Sequence, residues 1–131
     1  MDSQTALNEA AAGLMKQGRR SMNAAGDCLY RGPNGLRCGI GLILPDELYD
    51  DGLEGKPVVV IISRPEISEY FRGVSTDVLI AIQNTHDLAG QVHVDGGDEW
   101  RRVIARQLRD VAEDYRLSVP PALRPYLEDV T

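Results

Sequence analysis

The sequence predicts a small α+β domain, mainly helical, with three to five helices and one β-hairpin near residues 28–40. Three observations predict it. Apolar residues recur at three- and four-residue spacing in several segments, the signature of helices with one buried face. Between two of those segments, Pro33-Asn34-Gly35 divides two short runs that read as the arms of a hairpin. The composition sets the scale: 131 residues, 43% hydrophobic and 26% charged, suit a single core. Of these, 34 are Leu, Ile, Val or Phe, enough to exclude global disorder. One globular unit over 1–117 and a Pro-rich tail over 118–131, packed on it or extending from it, follow.

Thr5 to Met22 reads as an amphipathic helix with Leu7, Ala11, Leu14 and Met22 close to one face, capped by Ser3 or Thr5. Gly26 is the expected stop. In the next segment Pro33 fits the second position of a turn, and Asn34-Gly35 tolerate positive φ. Two hairpin registers compete. A two-residue loop scatters apolar side chains over both faces. A three-residue loop with Gly35 in a bulge puts Cys28, Tyr30, Leu36, Cys38 and Ile40 on one face, with Arg31 and Arg37 on the other. The bulged register is favoured, because burying a whole face is worth several kcal/mol at about 25 cal/mol per Å².

Gly39 to Leu44 is small and apolar, which suggests close backbone approach. Pro45-Asp46-Glu47 opens a short helix with acids at the positive end of its dipole, ended by Asp50, Asp51 and Gly52. Pro57 to Ile62 is ambiguous between a buried strand and a short helix. Ile67, Tyr70 and Phe71 form an apolar group at helical spacing. Ser75 or Thr76 caps a helix to about Leu88, with Gly90 as its stop and a loop over 89–97. Asp98 then caps the longest helix, whose stripe is Trp100, Ile104, Leu108, Val111 and Tyr115. Its three prolines make the tail an extended segment draped over the body.

Several function classes are excluded by residue type. The formal charge of −6 is wrong for general nucleic-acid coating. The start lacks the basic and apolar regions of a signal peptide, and no apolar run approaches the roughly 18 residues of a membrane span. Cys28 and Cys38, the two cysteines, are too few for a four-thiolate zinc site or a disulfide scaffold, and reduced thiols in a cytosolic protein are expected. His86-Asp87 resembles the doublet of metal-dependent phosphohydrolases, but His93 is the only other histidine and lies downstream. Asp46, Glu47, Asp50, Asp51 and Glu54 do not follow EF-hand spacing. No metal and no cofactor are expected.

Arginines carry the remaining signal. Arg31 and Arg37 sit opposite each other on the expected hairpin, a like-charge pair that needs an answering anion or carboxylate. Arg101, Arg102, Arg106 and Arg109 line the long helix, where Arg106–Asp110 and Arg109–Glu113 are four-residue ion pairs. These six arginines form a local basic surface suited to a protein partner. A second reading is a small enzyme built on Cys28 or Cys38 with His86 and Asp87. A third is a DNA-binding regulator using the arginine-bearing helix. A homodimer through the hairpin or the long helix is a further expectation.

The run from Cys28 through Asp50, followed by Glu54-Gly55, resembles a group of uncharacterised small proteins of tailed bacteriophages and prophages. In that group a C-x-Y-R-G-x-x-G-x-x-C hairpin runs into I-P-D-E-x-Y and then E-G, with L-Q-x-x-H-D and a tryptophan-bearing helix further on. The matching residues are Cys28, Tyr30, Arg31, Gly32, Gly35, Cys38, Pro45-Asp46-Glu47, Tyr49 and Glu54-Gly55, then Gln83, His86-Asp87 and Trp100. Leu44 and Ile82 depart from the group's usual isoleucine and leucine. The resemblance covers about residues 5 to 117 and implies source and compartment rather than reaction. It implies a phage protein working in the host bacterial cytoplasm. The absence of a complete catalytic constellation, the small size and the arginines on the expected hairpin then lead to a non-enzymatic accessory protein that binds a host protein or complex, for host takeover or as an anti-defence inhibitor. The resemblance also tilts Val58 to Ile62 toward a helix.

Overall fold

Helix α1 runs over Ser3–Gln17 in the computed structural model, which describes residues 1–23, 28–91 and 96–127, the side chains of 86–91 excepted. Asp2 caps it in place of the expected Ser3 or Thr5, its Oδ1 accepting the Thr5 N–H at 2.7 Å. The helix stops short of Met22 because Gly18 turns left-handed at φ 71°, its N–H on the Leu14 carbonyl. Arg101 completes this end by donating Nε–H to the Met15 carbonyl at 2.7 Å. Gly26, the expected stop, lies outside the described residues.

The expected hairpin does not form, and the α+β class is corrected with it: the described residues hold seven α-helices and no strand or sheet. The turn itself is present. Pro33–Gly35 is a 3-10 turn with Asn34 at φ 59° and Gly35 at φ 76°, closed by the Gly32 N–H on the Leu36 carbonyl at 2.7 Å. Its flanks do not pair further, because each finds other partners for its backbone. The Leu29 N–H goes to the Ser21 carbonyl, and Met22 and Cys28 form an isolated bridge. The N–H groups of Tyr30 and Arg31 go to the Glu54 carboxylate, and that of Arg37 goes to Gln17 Oε1. On the far side Cys38 caps helix α2, Gly39–Ile43, its sulfur accepting the Gly41 N–H at 3.4 Å. Gly41 is forced by space: a Cβ there would lie 2.0 Å from the Tyr30 carbonyl oxygen.

Asp46–Leu48 and Asp51–Leu53 are 3-10 turns, the second capped by Asp50. Val58–Ile61 resolves as helix α3, entered from Pro57, with Val58 and Ile61 buried while Val59 and Val60 face outward. Helix α4 spans Pro65–Tyr70 and buries Ile67. Helix α5, Thr76–Gln91, takes in Gly90 rather than stopping there, and Ser75 Oγ accepts the Val78 N–H at its start. Helix α6 spans Gly97–Asp114, with Gly96 and not Asp98 at its cap; Asp98 lies in the first turn and pairs with Arg101. The tail is not extended. It forms a 3-10 turn, Pro121–Leu123, and helix α7, Arg124–Leu127, packed against α1 and α6.

The core lies where α1, α5 and α6 meet, with α2 wedged against α1 and α5. Leu7, Leu14, Ile40, Ile82, Trp100, Ile104 and Leu108 are fully buried there. Each such side chain contributes roughly 1.5–3 kcal/mol by leaving water. Leu123 inserts from the tail, while Tyr115, expected in the stripe, is 39% exposed. Among the described residues no helix is long and apolar enough to cross a membrane.

Candidate functional site

The segment 28–38 is held by side chains from distant parts of the chain. Glu54 is the main staple: Oε1 accepts the Tyr30 N–H at 2.9 Å, and Oε2 accepts the Arg31 N–H at 3.1 Å and the Tyr49 hydroxyl at 2.7 Å. Burial, reinforced by this carboxylate, pushes the Tyr49 phenol up to about 12. Ser21, fully buried, donates to the Leu29 carbonyl at 2.8 Å from the other side. Tyr30 is buried and donates its hydroxyl to the Lys56 carbonyl at 2.6 Å. Gln83 on α5 donates to that hydroxyl at 3.1 Å and accepts the Val58 N–H at 2.8 Å.

Arg31 and Arg37 converge on one carboxylate. Asp46 Oδ1 lies 2.5 Å from Arg31 Nη1 and 3.5 Å from Arg37 Nη2, and the Arg31 guanidinium beside it holds the Asp46 carboxyl below its ordinary 3.8. Arg31 also donates to the Leu44 carbonyl at 2.7 Å and lies 4.9 Å from the Tyr49 ring centroid. Its side chain is 16% exposed. Arg31 is therefore built into the loop, and only Arg37 keeps part of its surface.

Beside this loop opens a cleft of about 680 Å³, within the range of ligand sites. Cys28, Leu29, Tyr30 and Cys38 form one wall, Glu54 to Pro57 a second, and Gln83 and Asn84 a third. Lys56 and Asn84 are exposed at its rim. The two cysteines differ. Cys38 is 2% exposed, and burial pushes its thiol up to about 12. Cys28 is half-buried, with Arg20 Nη2 3.4 Å from its sulfur. Hence Cys28 leaves the buried face on which the hairpin register put it. Among the described residues no three His, Cys, Asp or Glu side chains are placed to hold a metal.

His86 and Asp87 fall on α5, one turn beyond Gln83, and their side chains lie outside the described residues, as does the whole of His93. The α6 arginines separate by role. Arg101 is tied to Met15 and Asp98, and Arg109 pairs with Asp110 at 3.6 Å. Arg102 and Arg106 are exposed, one turn apart. The structure therefore brings Arg31 and Arg37 together with Asp46, while Arg102 and Arg106 are an exposed pair on α6.

Residue-by-residue reading missed Glu54, Gln83 and Arg20 as organisers of this site. Glu54 stood in an acidic run that reads as a hydrated turn; only its place in the E-G motif marked it. Gln83 likewise carried a motif position without a role, and Arg20 carried no signal at all. Comparison with protein-family models, with curated proteins and with solved structures finds no significant match to this chain.

Proposed function

We propose that this chain is a phage-encoded, non-enzymatic accessory protein that binds a host bacterial protein in the cytoplasm, through the cleft and the outward face of α3. The resemblance in the Cys28 to Tyr49 motif supports the source. The observation that carries the surface is the cleft itself, continued in sequence by exposed apolar side chains. Val59 and Val60 come two and three residues after Pro57, which lines the cleft, and are 53% and 45% exposed. A concave site with uncovered apolar side chains close by in sequence suits a protein segment that inserts one anchor and packs on those side chains. Arg31, bound into the loop by Asp46 and Leu44, moves from contact residue to scaffold in this reading.

The test is affinity capture from host lysate with mass-spectrometric identification, followed by binding of the purified captured protein. Asn84→Trp, which fills the cleft, and the pair Val59→Glu with Val60→Glu should each abolish that binding. Arg102→Glu with Arg106→Glu should leave it intact. No saturable binding by a purified host protein, or loss of binding with the α6 pair alone, overturns the proposal.

A further inference from the structure

Helix α3 has four residues, too few to hold its own shape, and Pro57 before it offers no capping side chain. The missing partner comes from α5: Gln83 Oε1 accepts the Val58 N–H at 2.8 Å, from 25 residues away. Only an oxygen can meet that N–H, so the other end of the amide is Nε2, which donates to the Tyr30 hydroxyl at 3.1 Å. The hydroxyl in turn donates to the Lys56 carbonyl at 2.6 Å. Lys56 and Val58 flank Pro57, so the backbone groups on both sides of the helix entry are held by side chains that line the cleft.

We infer, on the reading of the cleft and α3 as one docking surface, that Gln83 is its positioning residue: the amide ties α3 to Tyr30 and so sets where Val59 and Val60 stand relative to the cleft. Burial of Val58 and Ile61 seats the helix on the core, but apolar contact is non-directional and does little to fix its pitch. The two hydrogen bonds of one amide are directional, and they join the Tyr30 wall to the helix that follows the Glu54 to Pro57 wall. Each bond in the chain from Gln83 through Tyr30 to Lys56 strengthens the next. Loss of one member is therefore felt at α3 as well as in the cleft.

The test is native-state amide exchange, read by NMR on the full chain at Val60, Ile61 and Ile62, whose N–H groups bond to Pro57 and Val58 and not to Gln83. Gln83→Leu should speed exchange at all three roughly fivefold relative to α6, the factor one lost hydrogen bond makes in local opening. Gln83→Glu keeps the acceptor for Val58 and should restore most of the protection. Tyr30→Phe should speed the same amides by a similar factor, and the double variant should fall short of the product of the single effects by at least about twofold. Unchanged exchange in folded Gln83→Leu, no recovery in Gln83→Glu, or single effects that multiply in full overturns the inference. Gln83→Met, of similar volume to glutamine, takes the place of Gln83→Leu if that variant does not fold. None of these rates needs a partner, so a cleft that takes up no host protein sinks the proposed binding alone, and an unmoved α3 sinks the role of Gln83 alone.

Discussion

The carboxylate of Glu54 accepts the backbone N–H of Tyr30 at 2.9 Å across a sequence separation of 24 residues. With the Arg31 N–H and the Tyr49 hydroxyl on its other oxygen, one side chain supplies the partners that a second β-strand would have supplied. Glu54→Ala should cost about 3 kcal/mol, because it orphans two backbone donors and a phenol. Glu54→Gln keeps one acceptor oxygen and should cost less. Urea unfolding of both variants measures the difference, and an Ala variant as stable as wild type removes the staple.

Gly41 and Gly35 should respond in opposite proportion to alanine. At residue 41 the added Cβ meets the Tyr30 carbonyl oxygen at 2.0 Å, whereas at residue 35 it meets nothing within 4 Å but inherits φ 76°. Gly41→Ala should lose more than about 3 kcal/mol, since a backbone atom cannot give way as a side chain can. Gly35→Ala should lose only about 1 kcal/mol, the cost of a left-handed alanine. Denaturant midpoints with unchanged slopes would establish the order.

Arg31→Glu should report on folding rather than on binding. It removes the ion pair with Asp46 and the hydrogen bond to Leu44, and sets a new acid beside Asp46. A loss of about 1–3 kcal/mol is expected, most of it from the Leu44 carbonyl left without its donor and the lost packing on Tyr49, since Asp46 is 77% exposed and the ion pair adds little. Arg102→Glu, on the exposed face of α6, should stay within about 0.5 kcal/mol of wild type. Thermal unfolding of the two variants separates scaffold from surface.

Asp46 sets an acid-dependent term in stability. Hydrogen bonding to Arg31, with the charges of Arg31 and Arg37, lowers its pKa from 3.8. A lowered carboxyl contributes stability that is fully present above 3.8 and is lost as pH falls through the folded value. Asp46→Asn should therefore be less stable than wild type at neutral pH, and the two should converge in strong acid. Urea midpoints across an acid series test this; a gap that does not change with pH refutes it.

Most of the helical frame is legible in the sequence, because periodic burial is a local signal. Leu7, Ala11 and Leu14 of α1, Leu79 and Ile82 of α5, and Trp100, Ile104, Leu108 and Val111 of α6 are all buried as their spacing implies. The boundaries are less so. Gly18 falls inside the helix expected over Thr5 to Met22, and what makes it the stop, the close approach of Arg101, comes from far along the chain. The loop 28–38 misled for the same reason. Pro33, Asn34 and Gly35 form the turn that their residue types imply, but a turn is compatible with a hairpin or with a loop stapled from outside. Glu54, Gln17 and Ser21 decide between these, and nothing local announces their choice of partner. The acidic run that looked like a hydrated turn held two organisers, Asp46 and Glu54. The two arginines of this segment face Asp46, a carboxylate of the same chain.

Gln4 and Ser118 exchange two hydrogen bonds, the Gln4 amide donating to the Ser118 carbonyl at 2.9 Å and accepting its N–H at 2.7 Å. Just beyond, Leu123 seals against α1. During synthesis α1 is thus made 114 residues before the segment that pairs with it. That side of α1 waits as an open apolar surface until the segment 118–123 emerges, so this part of the core closes late relative to the helix it covers.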